Sequence, residues 1–161
     1  VRELILNPEY KEMSPVTEML LYAASRAQLV HEVIGPALEA GRIVISDRFV
    51  DSSIVYQGIA RNLGISTVAA VNAPGIGIYR PDGIFFIDLS VAEGIRRKKN
   101  QKKLDRMEQE SIDFHHLVSE RYRKVLAERP EVIKIDGGKD IDVIQKKIRN
   151  HVDELLKKKN R

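Results

Sequence analysis

The order of apolar and polar positions divides the chain into short apolar runs and longer helical stretches. Three runs, Arg42–Ser46 (RIVIS), Gly83–Ile87 (GIFFI) and Val132–Ile135 (VIKI), are too short for helices and rich in β-branched or aromatic residues, which predicts buried strands. Each is followed at once by an aspartate: Asp47, Asp88 and Asp136. Elsewhere apolar residues recur at helical spacing. Val16, Leu20, Ala23, Ala27, Val30, Ile34 and Leu38 form one such series. It opens on Ser14-Pro15, an N-cap residue followed by the residue whose missing N–H costs nothing in a first turn. Gly35-Pro36 predicts a kink late in that helix. Ser90-Val91-Ala92-Glu93 reads as a capping box opening the helix after the second strand. Further helices are predicted over about 111–129 and 142–158.

Strands that alternate with helices of ten or more residues predict parallel pairing through right-handed crossovers, the α/β class. In such sheets ligands bind outside the carboxyl ends of the strands. Chemistry is therefore expected around Asp47, Asp88 and Asp136. The 161 residues amount to one domain by length and suffice to bury a core without staples. With 43% hydrophobic and 31% charged residues, a disordered tail is excluded. The cysteine count of 0 excludes disulfides, thiolate zinc sites and cysteine nucleophiles together. The charge-free stretch Asn62–Tyr79 is broken by Gly64, Asn72, Pro74, Gly75 and Gly77, which argues against a membrane span. The opening VRELILNPEY lacks the basic and apolar regions of a signal peptide. A cytoplasmic protein without a membrane partner is the expectation.

Charge is mildly basic, 27 Lys and Arg against 23 Asp and Glu, a net +4. It is uneven: Arg96–Lys103 (RRKKNQKK) concentrates the excess, and the chain closes on KKKNR. The tail fits a solvated, frayed end. The inner run fits a solvated helix end or an anionic partner, either a nucleic acid or the phosphates of a small molecule. No aromatic residue interleaves it, which ranks nucleic acid last.

The richest segment runs from Asp47 to Gly58 (DRFVDSSIVYQG). A carboxylate at a strand end can hold Mg²⁺ directly or through water. The planar guanidinium of Arg48 suits phosphate oxygens. Taken alone, Asp47 fits a strand-end ion pair equally well. Ser53, Tyr56 and Gln57, at i, i+3 and i+4, share a helix face, so hydroxyl, ring and amide can serve a phosphate, a sugar and a base edge. In LLYAASR, Tyr22 and Arg26 also share a face. They fit a core ring beside a surface charge, or a stacking platform worth roughly 1–3 kcal/mol per base.

Taken in order, these pieces resemble the thymidylate kinases. The matching segments are VRELIL, TEMLLYAASRAQ, VISDRFVDSSIVYQG, YRPDGIFFIDL, LDRMEQES with DFH, and VIKIDG, spanning essentially the whole chain. The specific element is DR-aromatic followed by SS-x-x-YQG. The resemblance implies a P-loop NTPase-like parallel sheet flanked by helices, and transfer of the γ-phosphoryl of ATP to dTMP with Mg²⁺. It also implies a homodimer through the helical face, for which the Ser14–Leu38 helix is the candidate. By that resemblance Tyr22 stacks on thymine, Arg26 hydrogen-bonds a thymine carbonyl and Gln57 meets the base edge. Tyr56 crowds the sugar and disfavours a 2′-hydroxyl, while Ser53 adds polar contacts nearby. Arg2 contacts the dTMP phosphate, Arg48 bridges acceptor and donor phosphates, and Asp47 manages Mg²⁺ or the acceptor phosphate. The segment at about 96–106 resembles a mobile lid over ATP that includes Arg96 and Arg106, with Arg97 assigned as its catalytic arginine. Asp136 and Gly137 are expected near the adenine. Phe49 stands where the family more usually carries tyrosine.

One departure matters. No G-x-x-x-x-G-K-S/T run occurs in the 161 residues: Gly138-Lys139 is followed by Asp140, and Gly75-Ile76-Gly77 by Ile78. The family carries that loop and its first two strands ahead of the residues matching Val1–Leu6. The expectation is therefore a single nucleoside monophosphate kinase-like domain over 1–161, lacking its N-terminal strands and P-loop. Loss of the central strand would leave unpaired edges beside Arg42–Ser46 and Gly83–Ile87. Without the amides and lysine that hold the β- and γ-phosphates, the chain alone is expected to be inactive. A nucleotide-binding or dimerisation fragment without activity, and a kinase for another nucleoside monophosphate, are the alternatives.

Overall fold

The computed structural model describes residues 1–98, 105–127 and 129–159. The chain forms two compact units, Val1–Arg80 with Gln101–Arg121, and Pro81–Asn100 with Tyr122–Arg161.

The first unit is helical. It contains α1 (Arg2–Leu6), α2 (Pro15–Leu29), α3 (Gly35–Glu39), α4 (Val50–Ser53), α5 (Ile65–Ile76) and the first part of α7 (Ile112–Leu126). Helix α2 starts where the sequence predicts. The Ser14 hydroxyl accepts from the Thr17 N–H at 3.1 Å, and Pro15 stands in the first turn. The irregularity expected at Gly35-Pro36 takes the form of a widened π-helical turn, Val30–Ile34. Pro36 has no N–H to give, and the Gly35 N–H reaches back five residues to the Val30 carbonyl. A second widened turn, Ile54–Ala60, continues α4. Helices α2 and α5 cross closely, because a Cβ on Gly75 would lie 2.7 Å from that of Ala27. Ile5, Met19, Val30, Ile34, Val55, Val68, Ile76 and Val118 fill the interior. Each such side chain contributes about 1.5–3 kcal/mol on full burial.

The strand predicted over Arg42–Ser46 does not form. The segment is irregular, and Ile43 and Ile45 are 64% and 92% exposed. Its composition suits a strand, but a strand exists only through hydrogen bonds to a neighbour, and no described segment pairs with it.

The second unit holds β1 (Ile84–Asp88), α6 (Val91–Lys98), the end of α7, β2 (Val132–Asp136) and α8 (Ile141–Lys159). The strands pair in parallel, from Ile84 opposite Val132 to Asp88 opposite Asp136. Parallel pairing is what the strand–helix alternation predicts, and both strands take in the aspartate expected to follow them. Ile135 and Leu126 are buried here, and Phe86 stacks on Tyr122 at 6.1 Å between ring centres. Half of the capping box forms. The Ser90 hydroxyl accepts from the Glu93 N–H at 3.3 Å, while the Glu93 carboxylate turns to Arg96 and Arg97. No helix among the described residues is long and apolar enough to cross a membrane.

Candidate functional site

In the first unit, α2 presents Glu18, Tyr22 and Arg26 one turn apart. Arg26 is the hub. Its Nη2 donates to the Ser53 hydroxyl at 2.9 Å and to the Phe49 carbonyl at 3.3 Å, and its Nη1 donates to the Asn72 side-chain oxygen. The guanidinium also lies 5.7 Å from the Phe49 ring centre. Burial lowers the Arg26 pKa, against the opposing influence of Asp51 and Tyr22. Burial also pushes the Tyr22 phenol up, with Glu18 adding to the effect.

The widened turn at Ile54–Ala60 redistributes the face that the sequence predicts. Ser53 and Gln57 are buried together, whereas Tyr56 remains half-buried. The Tyr56 ring has the Arg48 guanidinium 5.6 Å from its centre and Phe114 tilted against it at 6.1 Å. Arg48 itself is exposed and has φ of +71°, in the left-handed region. The Ser46 hydroxyl donates to its carbonyl at 2.7 Å. Non-glycine residues in that region collect at functional sites, where surrounding contacts hold them.

Asp47 is exposed and makes no hydrogen bond or ion pair among the described residues. No group of three or more acidic or histidine side chains that could hold a metal occurs among them either. A single free carboxylate fits an ion such as Mg²⁺, which keeps waters and shares its ligands with substrate phosphates. Arg2 is exposed on the first turn of α1 and takes no part in these contacts.

Sequence reasoning missed the groups that hold this cluster. Glu18, 1% exposed, accepts from Gln57 Nε2 at 2.8 Å, from Arg106 Nη2 at 2.5 Å and from Arg61 Nη2 at 3.3 Å. Arg61 also pairs with Glu110 and lies 4.8 Å from the Phe114 ring centre. Burial pushes the Glu18 carboxyl up, but hydrogen bonds from Gln57 and Arg106 and the charges of Arg61 and Arg106 outweigh it, so its pKa is lowered. Arg106, expected within the lid segment, is buried, with its Nε donating to the Ile5 carbonyl at 2.8 Å. Residues 99–104 of the expected lid lie outside the described residues. The overlooked signal was spacing: Glu18 precedes Tyr22, and Arg61 follows Gln57, by the same four residues that singled out Tyr22 and Arg26.

In the second unit, Asp88 and Asp136 end the two strands in register. Asp88 is committed to Arg123 at 2.8 Å and Lys134 at 2.9 Å, and those bonds, Arg123 first, lower its pKa. Asp136 is exposed and accepts from the Gly138 N–H at 2.9 Å. The Gly137 N–H donates to the Asp88 carbonyl at 2.8 Å, and a Cβ there would sit 3.0 Å from that oxygen. A hollow of about 430 Å³ is lined by Asp88, Lys134, Asp136 and Lys147. Arg96 and Arg97 are exposed on α6 and paired with Glu93, whose pKa they lower to about 2.

The parallel strand pair and the helices that alternate with it define an α/β protein. Comparison with known proteins narrows the class. The family model for thymidylate kinase matches residues 1–148. The thymidylate kinase of Bacillus licheniformis is 41% identical over 160 residues, covering 98% of this chain and 76% of that protein. That of Caldanaerobacter subterraneus subsp. tengcongensis is 47% identical over 158 residues, covering 98% and 75%. That of Lactobacillus delbrueckii subsp. bulgaricus is 47% identical over 144 residues, covering 88% and 68%. The chain belongs to the thymidylate kinase family.

Proposed function

We propose that the chain binds dTMP as the acceptor in phosphoryl transfer from ATP, yielding dTDP and ADP. The observation that carries this reading is the bond from Arg26 to Ser53 at 2.9 Å in the unit that also holds Tyr22, Tyr56 and Gln57, with Arg48 5.6 Å from the Tyr56 ring centre. Tyr22 supplies a face for the base. Arg26 has five N–H donors, and its recorded bonds leave some to meet a base carbonyl. Gln57 meets the base edge, Ser53 adds a polar contact, and Arg2 reaches the acceptor phosphate.

Transfer forms a bond between a dTMP phosphate oxygen and the γ-phosphorus of ATP. It breaks the bond from that phosphorus to the bridging oxygen, and ADP leaves with the electron pair. Such chemistry depends on positioning and charge neutralisation. Arg48 spans the acceptor and transferring phosphates. When bound, Mg²⁺ neutralises charge on the donor phosphates, with Asp47 holding it or its water. The family resemblance assigns Arg96 and Arg97 to the donor phosphates and Asp136 and Gly137 to the adenine. Pairing of two copies through α2 belongs to this reading, since Val16 and Leu20 leave apolar surface exposed there.

The test measures dTMP binding and dTDP formation separately, because no G-x-x-x-x-G-K-S/T run lies within the 161 residues. Saturable dTMP binding together with ATP-dependent dTDP formation is expected for the kinase. Binding without turnover assigns the alternative, a nucleotide-binding chain without activity. Failure to bind dTMP overturns the reading of the site. Tyr56 gives a sharper check. Tyr56→Ala is expected to narrow the preference for dTMP over ribo-TMP by about tenfold, the order of one well-made contact. An unchanged preference in competition binding removes Tyr56 as the sugar gate.

A further inference from the structure

We infer that Glu18 is a positioning residue that sets which end of the Gln57 amide faces the base, and so makes the site select an N3–H edge. This rests on the reading that Gln57 meets the base. Glu18 and Gln57 are both 1% exposed, and Nε2 of Gln57 donates to Oε1 of Glu18 at 2.8 Å. An amide has a donor end and an acceptor end, and its orientation follows from its partners. An ionised carboxylate can only accept. Arg106 at 2.5 Å and Arg61 at 3.3 Å hold Glu18 ionised. The NH₂ end of Gln57 therefore has to face α2, and Oε1 is left as the acceptor at the other end. No described group donates to that oxygen.

An acceptor at that end suits thymine, whose N3 carries a hydrogen. It opposes cytosine, whose N3 presents a lone pair. With the amide reversed, the NH₂ group would favour cytosine instead. The two arginines thus act on base choice indirectly, by keeping a proton off Glu18. Leaving a polar edge facing like against like is the kind of mismatch that discriminates strongly between ligands.

The experiment is competition binding of dTMP and dCMP to the 161-residue chain and its variants. Glu18→Gln can present either end of its own amide to Gln57, so reversal becomes possible. The preference for dTMP over dCMP is expected to fall about tenfold, the factor carried by one hydrogen bond of ordinary strength. A role limited to folding would lower both affinities together and leave their ratio unchanged, which overturns the proposal. Glu18→Gln with Arg61→Gln, which removes one charge of each sign, is measured beside it in case the single variant does not fold. The same drop in ratio is expected there, and an unchanged ratio overturns the proposal equally. Gln57→Ala separates the two layers. If it leaves the ratio intact, or if the parent chain binds neither nucleotide, the base-edge reading itself fails. If it abolishes the preference while both Glu18 variants keep it, only the role of Glu18 fails.

Discussion

In catalytically competent protein, replacing Arg48 by alanine is expected to lower kcat for dTDP formation by about 10³-fold while changing the KM for dTMP only a few-fold. The size follows from what an arginine directed at a transferring phosphoryl group contributes, about 10³–10⁵ in rate. The asymmetry between kcat and KM follows from when the charge is needed. Negative charge on the bridging and peripheral oxygens is redistributed in the transition state, so an interaction made mainly there leaves ground-state binding largely intact. Local structure supports the assignment. Arg48 holds a left-handed backbone conformation, φ +71°, at a cost of about 1–3 kcal/mol. The Ser46 hydroxyl caps its carbonyl at 2.7 Å, and the Tyr56 ring lies 5.6 Å from the guanidinium. A conformation held against its own preference beside an aromatic guide fits a side chain whose direction matters. Arg48→Lys keeps the charge but loses the planar fork, and is expected to recover part of the loss. Initial rates over a range of dTMP at saturating ATP provide the measurement. A change confined to KM would remove Arg48 from the chemical step.

Much of the scaffold is legible in the sequence because local rules and tertiary packing agree there. Ser14-Pro15 starts a helix by its own hydrogen bonding, whatever packs against it later. The runs before Asp88 and Asp136 become paired strands because each finds the other. Arg42–Ser46 has the same composition and no paired neighbour among the described residues, so pattern alone overstates it. Pairing is a property of two segments, and apolar periodicity reports only one. The widened turns were illegible for a related reason. Pro36 announces an irregularity but not its form, and nothing local marks Ile54–Ala60, where bulges of this kind often accompany function.

Spacing of three or four residues singles out Tyr22, Arg26, Ser53 and Gln57, and of these the structure bonds Arg26 to Ser53 at 2.9 Å. Their supports were not. Glu18, Arg61 and Glu110 read as ordinary charged positions, since charged residues are almost always exposed unless paired. The partners that permit burial of Glu18 come from Gln57, Arg61 and Arg106, far away in sequence. Asn72 was read only as a breaker of an apolar stretch, yet its side-chain oxygen accepts from Arg26 while its amide donates to the Val68 carbonyl at 2.8 Å.

That buried network carries the second large effect. Glu18→Ala is expected to destabilise the chain by about 3–5 kcal/mol, the range for removing one partner of a buried ion pair. The loss comes less from the missing attraction than from what remains. Arg106, 8% exposed, would keep a desolvated positive charge with the Ile5 carbonyl as its one remaining partner among the described residues, and Gln57 would lose the acceptor for its NH₂ group. Arg61 is less affected because Glu110 still pairs with it. The pH dependence has a definite sign. The folded-state pKa of Glu18 lies below its ordinary 4.5, so its contribution is complete above that value and is lost as pH falls through the folded value. The stability difference between parent and Glu18→Ala should accordingly be constant near neutrality and shrink in acid. Urea unfolding at pH 7 and at several points below pH 4.5 measures it. A gap that stays constant across that window would mean that Glu18 stabilises the fold by packing alone, without the charge that the two arginines imply.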